Sequence, residues 1–161
     1  MKILYFGGQK SGKSLKAEQK ALKLSKKPYY IATYDNFFYD SEMSDRIKKH
    51  QKQREDRFVT IEETKELSKV IKSGEVYLVD CLSMWILNSL EDEEFIFDEL
   101  ERLEKKDATI IFVLNDVSSG VIPIEKLSRK YVDLSGIVGQ RVASFCDEVY
   151  EVKLGFEVKL K

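Results

Sequence analysis

The eight residues Gly7-Gly8-Gln9-Lys10-Ser11-Gly12-Lys13-Ser14 constrain this chain more than any other segment. They follow a short apolar run, Lys2 to Phe6, that reads as a buried strand. From Lys13 a helical pattern begins, with Ala17, Ala21 and Leu24 on one face, and Lys27-Pro28 ends it. The run fits G-x-x-x-x-G-K-[ST] without a mismatch. Its glycines permit the tight turn that points successive N–H groups at phosphate oxygens, and the helix behind adds its positive end. In that pattern Lys13 neutralises the β- and γ-phosphates and the Ser14 hydroxyl ligates Mg²⁺. Strand, loop and helix together predict a phosphate loop for ATP or GTP.

The rest of the chain supplies a matching frame. Apolar runs at Tyr29 to Thr33, Phe58 to Ile61, Val76 to Val79 and Thr109 to Leu114 read as strands. Helical patterns lie between them: the charged residues 41–56, Glu63 to Ile71, and 83–105 as two pieces. Leu127, Tyr131, Leu134, Val138, Val142 and Phe145 recur at spacings of three and four, a long amphipathic helix. The end, VYEVKLGFEVKLK, alternates about Gly155 as a β-hairpin does. Alternating strands and helices predict an α/β fold of the P-loop NTPase type. Its mainly parallel central sheet is flanked by helices and closed by a C-terminal antiparallel hairpin, and residues 1–161 form a single domain.

Composition bounds the setting. The chain is 43% hydrophobic and 34% charged, an ordinary globular balance rather than a disordered one. Residues 1–60 hold 14 Lys/Arg against 7 Asp/Glu, and the remainder 13 against 21. The basic portion suits nucleotides or nucleic acid, and charge alone does not separate the two. No run of about 18 apolar residues exists, so no membrane span is expected. The run Ile3 to Phe6 is too short for a secretory signal. Cys81 and Cys146 lack zinc or CxxC spacing and read as reduced cytoplasmic thiols.

Two more residues carry chemistry. Asp80 directly follows Val76 to Val79, where a neighbouring strand end would present an acid to the metal shell of the phosphate loop. Its alternative is a helix N-cap. His50 is the single histidine, on a predicted helix face with Met43, Ile47 and Arg54, and Arg46 stands one turn earlier. Flanking cations favour the neutral imidazole, a nucleophile or base, and would hold a polyphosphate in place. The alternatives are a solvated histidine or a basic nucleic-acid-binding helix. A GTPase would carry N-K-x-D after a strand, but Leu114-Asn115-Asp116-Val117 stands there. Asp133 to Gly136, a D-x-x-G, falls inside the last helical pattern. The loop alone does not name a reaction, since kinases, ATP-driven motors and transferases share it; a kinase of a small alcohol and a nucleotide-dependent nucleic-acid-binding switch both fit these residues.

Taken together the motifs resemble the bifunctional adenosylcobinamide kinase / adenosylcobinamide-phosphate guanylyltransferase family. GGQKSGKS stands at its N-terminal loop and YYIAT at its second strand. R-I-x-x-H-x-x-x-R is present from Arg46 to Arg54, with DCLSMWILN, NDVSSGVIP and a terminal VKLK further on. Departures are Lys10 for a common Arg, Asp80 for a common Glu, Glu55 and Phe58 for the usual Pro and Trp, and Gly139 for an Asn.

The resemblance implies phosphorylation of the aminopropanol hydroxyl of adenosylcobinamide, then transfer of GMP from GTP through a guanylylated His50 to give adenosylcobinamide-GDP, a step of cobalamin biosynthesis. It implies nucleotide contacts at Gly7, Gly8, Gln9, Lys10, Ser11, Gly12, Lys13 and Ser14. It implies others at Thr33, Tyr34, Asp35, Gln51, Lys52, Gln53, Arg54, Glu62 and Asp80, with Mg²⁺ at Ser14 and Asp80. Partners are then ATP and GTP, a corrinoid substrate and two further copies of the chain in a homotrimer. Nucleic acid is not among them.

Overall fold

Parallel strands buried on both faces need near-continuous apolar sequence, and this chain supplies it. The computed structural model describes residues 1–34, 56–118 and 122–161. Strand β1 (Lys2–Gly7) enters the phosphate loop, and α1 (Lys13–Leu24) leaves it. Then come β2 (Tyr29–Ala32), β3 (Val59–Glu62), the single turn α2 (Leu67–Val70) and β4 (Val76–Asp80). Helices α3 (Leu82–Asn88) and α4 (Glu93–Lys105) lead to β5 (Thr109–Asn115). Helix α5 (Lys126–Phe145), β6 (Glu148–Lys153) and β7 (Phe156–Lys159) complete the fold.

The seven strands form one sheet in the order β3-β2-β4-β5-β1-β6-β7. All pairs are parallel except β6 with β7. Period-two alternation divides the core into two layers. Ile3, Tyr5, Tyr30, Leu78, Ile111 and Val113 face α1, where Ala17 and Ala21 admit close approach. Leu4, Ile31, Tyr77, Val79, Ile110, Phe112 and Leu114 face α3, α4 and α5, where Trp85, Ile96, Leu100, Leu134, Val138 and Val142 meet them. The expected architecture is therefore the observed one.

Local departures have local causes. The helix expected from Glu63 to Ile71 shrinks to one turn, because Glu63 Oε1 accepts the N–H groups of Lys65 and Glu66 at 2.8 and 2.9 Å. That side chain satisfies the backbone in a capping turn, which competes with helix. Asp133 to Gly136 does lie inside a helix, α5. The helix expected over 41–56 lies outside the described residues but for its last residue. Leu154 and Gly155 turn the hairpin with φ of 54° and 82°, the two positive values that a two-residue turn between strands demands.

Candidate phosphate and metal site

The connections run to one side of β1 as far as β5 and to its other side with β6, so their direction reverses at β1. Open parallel sheets bind ligands at such a point, outside the carboxyl ends of the strands. The phosphate loop sits there. Gly12 takes φ of 96° at the start of α1, a left-handed turn that glycine makes without strain. Lys10 holds φ of 56°, uncommon for a residue with a side chain and concentrated at functional sites.

Carbonyl partners explain how the loop keeps its shape. Gly7 O accepts from Asp116 N at 2.8 Å, and Gly8 O from Ser11 N at 3.2 Å. Ser11 O accepts from Gly155 N at 2.9 Å, so the turn of the C-terminal hairpin braces the loop from outside. In a trans peptide the N–H points opposite to the carbonyl. The N–H groups of Gly8, Gln9 and Gly12 are thereby turned the other way, the arrangement an anion cradle requires. Neither brace was legible in the sequence, because both are backbone contacts between distant segments.

Lys13 is 6% exposed, and its Nζ donates to Gly8 O at 3.1 Å. Burial lowers its pKa, while the nearby Cys81 and Asp80 act to raise it. A buried ammonium resting on one carbonyl has donors to spare for phosphate. Ser14 Oγ stands 3.5 Å from Asp80 Oδ1, and Tyr30 Oη donates to Asp80 Oδ2 at 2.9 Å. Asp80 is not the cap of α3: Cys81 holds that position, and no side chain caps the helix. Its strand is also not adjacent to β1, since β5 lies between them. Because α1 packs over this face of β5 and β4, its first turn still brings Ser14 beside Asp80.

A hydroxyl facing a carboxylate oxygen at the mouth of a phosphate loop is the hard-oxygen donor pair that suits Mg²⁺. Among the described residues no group of three His, Cys, Asp or Glu gathers to hold a metal by itself. Magnesium kept by one or two protein groups plus nucleotide phosphates needs no such cluster.

The other anticipated residues divide. Thr33 is fully buried just beyond β2, and Tyr34 beside it is half-buried. Glu62 is exposed at the end of edge strand β3, and its backbone pairs in register with Ala32. Asp35, His50, Gln51, Lys52, Gln53 and Arg54 lie outside the described residues. Sequence reasoning did not single out Tyr30. The only signal for it was a tyrosine in a buried parallel strand, whose hydroxyl must find a partner.

A family model described as cobinamide kinase / cobinamide phosphate guanyltransferase matches residues 3–160. The chain belongs to this family. It is an enzyme of that class, a kinase and nucleotidyltransferase that uses nucleotide substrates. Curated relatives agree with the family over their full length. The bifunctional adenosylcobalamin biosynthesis protein CobP of Pseudomonas aeruginosa is 36% identical, across 100% of this chain and 98% of the relative. Proteins named CobU from Escherichia coli and Salmonella typhimurium are 32% and 30% identical, each over 100% of both chains. A solved structure of a Pyrococcus horikoshii OT3 protein superposes with a TM-score of 0.53 at 12% identity, covering 99% of this chain and 85% of that one. That likeness speaks for the fold alone.

Both cysteines of the family member are free and buried. Among the described residues no helix is long and apolar enough to cross a membrane.

Proposed function

We propose that this chain catalyses two successive transfers on one corrinoid and that the loop Gly7 to Ser14 serves both. In the first, the aminopropanol hydroxyl of adenosylcobinamide attacks the γ-phosphorus of a nucleoside triphosphate. The β–γ bridging bond breaks, the hydroxyl proton leaves and a nucleoside diphosphate departs. In the second, a neutral imidazole nitrogen of His50 attacks the α-phosphorus of GTP and releases pyrophosphate. The substrate phosphate then breaks the P–N bond and takes the GMP, giving adenosylcobinamide-GDP. Dividing the displacement in two lets imidazole serve first as nucleophile and then as leaving group.

One observation carries the reading: Lys13 and Ser14 stand at the start of α1, with Asp80 facing Ser14 at 3.5 Å, within a chain that matches the family from end to end. Lys13 and the loop N–H groups hold the phosphates. Ser14 and Asp80 hold Mg²⁺, which when bound offsets phosphate charge at the reacting end. Tyr34, Asp35, Gln51 to Arg54 and Glu62 border the nucleotide, and a carboxylate among them accepts guanine N1–H and N2–H. The protein acts in the cytoplasm as a homotrimer and has no nucleic-acid partner.

The test is chemical. Protein incubated with Mg²⁺ and GTP labelled at the α-phosphate acquires an acid-labile, base-stable label, and His50→Ala abolishes it. Unlabelled wild type, or equal label on the variant, refutes the guanylyl step and leaves a kinase. Tight, salt-dependent binding of nucleic acid would point to a switch protein instead.

A further inference from the structure

Thr33 is expected, by its place after the second strand, to touch nucleotide. Its surroundings show that its side chain is engaged elsewhere. It is 0% exposed. Its Oγ1 donates to Cys81 O at 2.8 Å and accepts from Cys81 N at 3.0 Å. Its carbonyl accepts from Asn88 Nδ2 at 2.7 Å, and the same amide reaches Thr64 O at 3.0 Å. The hydroxyl's only proton is therefore committed, and no surface of the residue is left for a ligand.

Those bonds converge on the residue after Asp80. A single hydroxyl satisfies both the N–H and the C=O of Cys81, where the chain leaves β4 and enters α3. Asn88, at the other end of that short helix, ties its last turn back to the exits of β2 and β3. The circuit fixes the backbone on the C-terminal side of Asp80. Tyr30 fixes one of its carboxylate oxygens from the side, at 2.9 Å. The remaining oxygen, Oδ1, is the one that faces Ser14.

We propose that Thr33 is a positioning residue for the metal-holding carboxylate of Asp80, acting through the Cys81 backbone, and not a nucleotide contact. The inference rests on Ser14 and Asp80 being the magnesium pair. Groups that orient a ligand to a metal, without touching it, typically change metal affinity by about 10- to 100-fold when removed. Thr33→Val keeps the shape but leaves the Cys81 N–H without a partner and its C=O with only the Trp85 N–H, at 3.3 Å. Thr33→Ser keeps the hydroxyl.

The readout is the affinity of GTP carrying an α,β-methylene bridge, which resists guanylyl transfer, measured by calorimetry with excess EDTA and with Mg²⁺. The ratio of the two dissociation constants isolates the magnesium contribution. For Thr33→Val the affinity in EDTA stays at the wild-type value and the ratio falls about tenfold. Thr33→Ser keeps the wild-type ratio. Asp80→Asn loses most of the ratio, and adding Thr33→Val to it changes nothing more. Equal weakening of Thr33→Val in both buffers would make Thr33 a nucleotide contact and overturn the proposal. An unchanged ratio in Thr33→Val, beside a collapsed ratio in Asp80→Asn, would also overturn it while sparing the magnesium assignment. A wild-type ratio that Asp80→Asn does not touch removes both. Should Thr33→Val fail to fold, Asn88→Asp and Thr33→Ala carry the same comparison.

Discussion

Tyr30 Oη donates to Asp80 Oδ2 at 2.9 Å, while Ser14 Oγ stands 3.5 Å from Oδ1 of the same carboxylate. Tyr30 is only 2% exposed, so its ring is held by the core and edge-on to Phe58 with centroids 6.1 Å apart. A rigid donor on one oxygen leaves the other for the proposed Mg²⁺. Tyr30→Phe removes that donor and keeps the ring. We expect kcat for both transfers to fall about tenfold and the Mg²⁺ concentration for half-maximal rate to rise similarly. Stability should fall by about 1 kcal/mol in urea denaturation. A variant with wild-type Mg²⁺ dependence would remove Tyr30 from the site.

Gly7 and Gly8 are adjacent and serve different ends. A Cβ on Gly7 would lie 2.3 Å from the Val152 carbonyl oxygen, a backbone atom that cannot rotate away. A Cβ on Gly8 meets nothing within 4 Å. Gly7→Ala should therefore destabilise the fold by about 2–3 kcal/mol, the upper part of the usual range for overpacking. Gly8→Ala should keep stability within about 0.5 kcal/mol while weakening nucleotide binding, if its open space is where the proposed phosphates lie. Denaturation and nucleotide titration of the two variants test the division. Equal stability loss in both would refute it.

How much was legible beforehand follows from where each signal lives. The strands β1, β4 and β5, the helices α1 and α5 and the hairpin were visible, because each carries its own periodicity or turn residues over several positions. The phosphate loop was visible because its chemistry is contiguous. Asp80 was singled out by its place after a strand, though β5 stands between that strand and β1. Tyr30, the Asp116 and Gly155 braces and the Thr33 lock on Cys81 were not found. Each joins segments far apart in sequence through one or two hydrogen bonds, and nothing local marks the partner. Thr33 was noticed for its position and expected to face the ligand, whereas burial turns its hydroxyl to the backbone.

The hairpin that braces Ser11 depends on a charge cluster at its base. Glu148 accepts from Lys20 Nζ at 2.7 Å and from Tyr150 Oη at 3.0 Å, and Lys159 Nζ lies 3.8 Å away. The Lys20 hydrogen bond, foremost, holds the Glu148 carboxyl below its ordinary 4.5. A carboxylate with a lowered folded pKa adds stability that is present above the unfolded value and is lost as pH falls through the folded one. Glu148→Gln should cost about 0.5–1 kcal/mol at neutral pH, since the pair is partly exposed. The difference from wild type should vanish once acid has protonated Glu148. Urea denaturation at neutral pH and again well below the carboxylate range checks this. A gap that persists in acid would assign the effect to packing instead of charge.

Lys13 gives the opposite dependence, and on binding instead of folding. Burial lowers its pKa below the ordinary 10.5 in the free protein. A triphosphate beside Nζ favours the charged form and raises it again. Nucleotide binding therefore takes up a proton at any pH between the two values. The dissociation constant should be flat at neutral pH and then rise about tenfold per pH unit, starting below 10.5. Lys13→Arg, charged throughout this range, should bind more weakly at neutral pH and show no such rise. Titrating GTP with its α,β-methylene bridge in EDTA, from neutral to alkaline pH, separates Lys13 from the metal. A rise of equal slope in Lys13→Arg would place the titrating group elsewhere, and a flat wild-type profile up to 10.5 would show that Lys13 is not the cation the phosphates meet.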